Sequence, residues 1–243
     1  TNLTGDKKFT HWREDIPLPT KVMVIGVADF AVKHAGFVNN CIPVSSWVFP
    51  ENADKGFYDY SIGPEVLSFF DQYIGPYPYR KLANVQSRTM YGGMENAGAI
   101  FYYENSVTGR QGEEGLFAHE IAHQWFGDHI TCGSWEDIWL NEGFATYFEG
   151  LCQQNINPGN WYNWRTGKIA SITSNVGGSV QVDDTTSVNR IFSSRLTYNK
   201  GAYLLHMLRW TLGDEEFFGA IKNYLKDTKL AGGFARTPDL IAA

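Results

Sequence analysis

The sequence has little cysteine, no block of basic residues and no long apolar run, and each shortage removes a class of protein. Its three cysteines, Cys41, Cys132 and Cys152, are odd in number and far apart, so no disulfide framework is expected and no C-x-x-C pair is present. Lys and Arg number 20 against 26 Asp and Glu, a net charge of −6, and no stretch concentrates the positive charge. No nucleic-acid partner is expected from such a surface. No apolar segment approaches the ~20 residues that a membrane-spanning helix needs, and no basic-plus-apolar leader opens the chain, so a soluble chain without a membrane span is expected. It starts at Thr1 rather than Met, which leaves an upstream targeting segment open, and the compartment with it. Asn2-Leu3-Thr4 matches a glycosylation acceptor, a pattern too short to carry weight. Internal repeats and low-complexity tracts are also missing.

The 243 residues that are present suffice for one large or two modest domains, and 43% of them are hydrophobic, which argues for a thick core. Residues 20–32 are rich in Val and Ile and follow a proline, so they read as a buried strand, and residues 42–49 as another. Helical spacing of Val66, Leu67, Phe69, Phe70 and Tyr73 predicts a helix over 62–74 that stops at Gly75-Pro76. Residues 82–86 read as a short strand, and 90–103 as an extended edge segment in which Gly92 and Gly93 allow a second backbone to approach. Helices are predicted over 113–126, after Ser134 as N-cap with 139–145 inside it, over 161–172 and over 198–212. Asp214 is expected to cap a further helix, and Thr237-Pro238 to open the last. Strands come first and helices later, which predicts an α+β fold.

Residues 119–123 read His119, Glu120, Ile121, Ala122, His123. Two histidines four apart share one helix face, so both imidazoles converge on one point, with Glu120 beside them. This is the H-E-x-x-H pattern of zinc peptidases, in which the histidines hold the ion and the glutamate is general base for water. The bland alternative is a core helix with two satisfied histidines. Glu142 follows His123 with eighteen residues between them, in the next predicted helix, and is placed to complete a His₂Glu set.

Three stretches, HEIAHQWFG at 119–127, WLNEGFATY at 139–147 and GGMENAG at 92–98, together resemble the zinc aminopeptidases of the aminopeptidase N and leukotriene hydrolase type. The resemblance implies a thermolysin-like zincin domain, a mixed sheet followed by a helical subdomain, over 31–243. Residues 1–30 would then be remnant strands of an upstream β-domain. One Zn²⁺ per chain would sit on His119, His123 and Glu142, with Glu120 as base. Glu95 would bind the α-ammonium of a peptide substrate with a free N-terminus, while Gly92, Gly93 and Met94 align its backbone. Tyr198, in a Tyr-x-Lys-Gly segment, would donate to the oxyanion. In this family an upstream domain brings a second acidic or amide group to the amine site and a downstream domain closes the cleft, so both flanking domains are expected outside this chain. The leukotriene hydrolase branch carries a second tyrosine where this chain has Ser193, so epoxide hydrolysis is not expected. A zinc endopeptidase and a zinc-binding module silent in isolation are the alternatives. Asn96 and Arg195 are candidates to orient the site, Met90 and Met94 to floor a side-chain pocket. His129 and His206 read as structural.

Overall fold

A computed structural model describes residues 9–243 of the chain, so the 2–4 glycosylation pattern lies outside the described residues. The fold is α+β. Strands β1 (Ala31–Val38) and β2 (Ile42–Val48) precede helices α1 (Ala53–Asp59) and α2 (Gly63–Tyr73). Strands β3 (Leu82–Ser87), β4 (Gly93–Met94) and β5 (Ala99–Tyr103) lead into α3 (Glu114–Ala122), β6 (Ile130–Cys132), α4 (Trp139–Ile156) and α5 (Asn160–Thr173). The chain closes with α6 (Val188–Ile191), α7 (Gly201–Leu212), α8 (Asp214–Lys226), β7 (Gly233–Ala235) and α9 (Thr237–Ala242).

The five-stranded sheet has the order β1-β2-β3-β5-β4, with β3 parallel to both neighbours and β4 antiparallel to β5 at the edge. Central position explains why β3 is buried from Leu82 to Gln86, whereas β2 buries alternate residues, Ile42, Val44, Ser46 and Val48. Helix α2 buries Val66, Leu67 and Phe70, and Phe70 meets the rings of Trp125 and Phe148 edge-on. Helix α4 is buried continuously from Trp139 to Phe148, so it runs through the core rather than along its surface. Gly143 lets it touch α7: a Cβ there would lie 3.0 Å from the Gly201 backbone. This is the close packing that its mid-helix position suggests.

Several expectations are corrected. Of residues 20–32 only Ala31 and Val32 are strand, as the start of β1: Thr20–Val22 make a 3₁₀ turn, the chain then runs without regular structure to Phe30, and Ile25 and Val27 are exposed. Residues 9–30 contain no strand at all among those described. An apolar run becomes a strand only where a sheet edge accepts its hydrogen bonds. Here the backbone tie is a single bond, Ala97 N–H to the Val22 carbonyl at 3.2 Å. The helix carrying His119 ends at Ala122 instead of 126, because i→i−3 bonds tighten the next turn and Gly127 departs with φ of 130°. The helix predicted from 198 starts earlier, as a π-helical turn over Ser194–Lys200 capped by the Ser193 hydroxyl. Asp214 does not cap α8, since Arg209 binds both its oxygens at 2.8 Å. Helix α1 and the parallel β6–β7 pair were not predicted. Among the described residues no helix is long and apolar enough to cross a membrane.

Candidate active site

Helix α3, its C-cap residue His123 and the first turn of α4 deliver three ligand atoms to one point. His119 Nε2 and His123 Nε2 are 3.1 Å apart, and Glu142 Oε2 lies 3.4 and 3.2 Å from them. An ion held at about 2.0–2.1 Å by tetrahedral ligands requires ligand atoms about 3.3–3.4 Å apart, which is close to this triangle. His119, His123 and Glu142 would therefore fit a small tetrahedral dication. Each imidazole is oriented from behind. His123 Nδ1 lies 2.8 Å from the Phe126 carbonyl, which fixes that nitrogen as the donor, and His119 Nδ1 faces Glu149 at 3.6 Å. Glu149 follows Glu142 by seven residues, two helical turns, so it shares that helix face; that spacing is the signal that could have found it.

The electrostatics favour positive charge. Burial opposes protonation of His119, yet Glu142 and Glu149 outweigh it and push its pKa up to about 10. Burial works against ionisation of Glu142, and His123 and His119 reverse that and hold its carboxyl well below the usual range. Glu120 behaves differently. Burial pushes it up to about 7, against the pull of His119 and His123. Burial, then the Glu142, Glu120 and Glu95 carboxylates, hold the Tyr198 phenol firmly protonated. Its ring stacks 6.0 Å from that of His119, so the hydroxyl is a donor beside the ligand triangle.

A cavity of about 740 Å³ joins these groups to the edge strand: Gly92, Gly93, Met94, Glu95, His119, Glu120, His123, Glu142, Glu149 and Tyr198 all line it. The nine residues to which the sequence assigns a zinc, catalytic or substrate role, Gly92, Gly93, Met94, Glu95, His119, Glu120, His123, Glu142 and Tyr198, are thus brought together. Gln124 anchors the Glu95 turn to the end of α3, donating to the Glu95 carbonyl at 2.8 Å and accepting from Gly98 N–H at 2.7 Å. Apolar walls come from Leu116, Trp135, Ile138, Val188 and Phe192. Lys21 also lines the cavity, 2.8 Å from Glu95 Oε1, and nothing in the local sequence marks it. Three weaker candidates do not line the cavity. Met90 is exposed, Asn96 contributes a backbone acceptor to Ala99, and Arg195 instead holds the 173–187 loop through the carbonyls of Ile172, Asn175 and Gly177. His206 sits among aromatic rings as a structural residue.

Gly93 has a specific reason to lack a side chain. A Cβ there would lie 2.5 Å from Glu120 Cδ, overlapping the carboxylate. Because the carboxylate is the free end of a side chain, Gly93→Ala is expected to shift Glu120 at little cost in stability. Turnover should fall by about 10²-fold, the usual penalty of a misplacement near 1 Å. Thermal melts beside steady-state kinetics check this; a large drop in Tm with kcat retained would show a folding role instead.

The pattern described as the Peptidase family M1 domain matches residues 58–243. Aminopeptidase 2 of Candida albicans is 30% identical over 98% of this chain and 27% of its own length. Aminopeptidase 2, mitochondrial, of Saccharomyces cerevisiae is 32% identical over 96% of this chain and 26% of its own. The chain spans about a quarter of the length of these curated relatives. In fold it is similar to a mutant M1 zinc metallopeptidase from Deinococcus radiodurans bound to a Tyr-Ser-Ala substrate, with TM-score 0.77 and 24% identity over 94% of this chain and 51% of that one.

Proposed function

The chain belongs to peptidase family M1, and from that premise we propose that it carries the centre of a zinc-dependent aminopeptidase, which removes N-terminal residues from peptides. The observation that carries this reading is the meeting, in one cavity, of the His119–His123–Glu142 triangle with Glu95 on the edge-strand turn. His119, His123 and Glu142 are the zinc ligands in this reading. The ion supplies Lewis acidity, making water acidic enough to lose a proton near neutral pH and polarising a carbonyl oxygen.

The chain's own groups do the rest. A peptide lies along β4, whose outer edge pairs with no other strand among the described residues, with Gly92, Gly93 and Met94 fixing its register. Glu95 takes the α-ammonium by a charge-assisted hydrogen bond, which an acylated N-terminus cannot make. Glu120 accepts the proton of the attacking water and returns it to the leaving amine. A carboxyl raised toward 7 suits both transfers. Tyr198 donates to the oxyanion as it forms, where one such donor is worth about 10²–10³ in rate. Residues 31–243 make up the catalytic domain in this reading, supported by the sheet starting at Ala31. Residues 1–30 belong to an upstream β-domain, and the greater length of the relatives supports flanking domains.

The test compares a free-amine peptide with its N-acetylated form on the zinc-loaded protein, using mass spectrometry of products. Stepwise loss of N-terminal residues from the free peptide is expected, with the acetylated peptide cut at least about 10-fold more slowly. Internal cleavage of the acetylated peptide at a comparable rate would replace this reading with an endopeptidase.

A further inference from the structure

Glu95 is already ion-paired. Lys21 Nζ lies 2.8 Å from Glu95 Oε1, and the lysine side chain, about one-third exposed, forms part of the cavity wall. This contact is built into the fold. Val22, next in the chain, is 1% exposed, and its carbonyl accepts from Ala97 N–H at 3.2 Å, two residues beyond Glu95. The 3₁₀ turn that presents Lys21 is closed by Met23 N–H to the Thr20 carbonyl and by Val22 N–H to the Pro19 carbonyl. The lysine backbone is therefore tied to the same turn that carries the carboxylate, while its side chain reaches the cavity.

A lysine ammonium and a peptide α-ammonium are the same chemical group for a carboxylate, each a compact cation with three N–H donors. The two therefore compete for Glu95. A peptide arriving while Lys21 is in place meets a half-satisfied carboxylate and a like charge at close range, and like-charge juxtaposition is a strong negative term in recognition. We propose that Lys21 occupies the amine subsite of Glu95 in the resting protein and acts as an intramolecular competitor that sets which N-termini the site admits. Burial works against a charge on Lys21, but Glu95 and then Asp128 more than offset it, so the occupant stays cationic. Free-amine peptides then bind only by displacing the lysine, and a ligand with an acidic first side chain recovers part of that loss by pairing with it.

The inference rests on the reading of Glu95 as the amine-binding group, and the experiment separates the two. Binding of trialanine and of acetyl-trialanine is measured by NMR titration on the zinc-loaded protein carrying Glu120→Gln, which removes turnover. Adding Lys21→Met is expected to tighten trialanine by at least about fivefold and leave acetyl-trialanine unchanged. Lys21→Arg, which keeps the charge, should remain as weak as Lys21. Lys21→Gln repeats the neutral test with a polar side chain should the methionine disturb the turn. Unchanged or weaker trialanine binding in both neutral variants would overturn the proposal, since the lysine would then only hold Glu95 in position. Adding Glu95→Gln to Lys21→Met should remove the gain. If trialanine stays tight in that double variant, the role of Glu95 itself is wrong, and the proposal falls with it.

Discussion

Glu120→Gln is expected to lower kcat by about 10²–10⁴-fold, the range for a general acid–base group, while the protein binds zinc as before. The amide keeps the shape of the carboxylate but takes no proton, so only proton transfer is removed. Glu120 does not belong to the ligand triangle, which is why metal content should not follow activity down. The preparation is analysed for metal by mass spectrometry after dialysis, and turnover of an aminoacyl anilide is followed in parallel. Activity within about tenfold of the unaltered protein, with zinc in place, would exclude Glu120 as the base. Loss of zinc together with activity would make Glu120 a structural neighbour of the triangle instead.

The parts of this site that the sequence made legible are those fixed by short spacing. His119 and His123 share a helix face by covalent geometry alone, and Glu142 needs only that the next helix begin at Trp139. The edge position of Gly93–Met94 was readable because paired glycines before an aromatic strand demand a close neighbour. What could not be read depends on who lies opposite. Residues 20–30 have the composition of a strand, but no strand among the described residues pairs with them. Lys21 finds Glu95 across 74 positions, and no local pattern encodes that meeting. The end of α3 is a finer case: the H-E-x-x-H helix stops at Ala122, and the turn beyond it aims the Phe126 carbonyl back at His123. The pattern specifies the ligands, whereas the long-range packing of that turn specifies their orientation.

Metal removal is expected to make stability strongly dependent on pH, in a direction that the site's charges fix. Without an ion, Glu142 and Glu149 outweigh burial and hold the folded-state pKa of His119 near 10, and Glu142 with Glu95 outweighs burial and raises that of His123. A group whose pKa is raised by folding stabilises fully below its unfolded value, near 6.5, and loses that contribution as pH climbs through the folded value. The metal-free protein should therefore lose stability between about pH 6.5 and 10. Glu142 acts in the opposite sense. Its lowered pKa stabilises above about pH 4.5 and is lost only under stronger acid, so it does not cancel the histidines in that window. Zinc requires neutral imidazoles and must displace their protons, so its affinity rises over the same range. The gap in Tm between zinc-loaded and chelator-treated protein should thus be small near pH 6 and widen steadily toward pH 9. Binding near pH 8 should release about one to two protons, read by calorimetry in buffers of different ionisation enthalpy. A gap that stays constant across the window, or a metal-free Tm that rises with pH, would show that the carboxylates do not hold these imidazoles protonated.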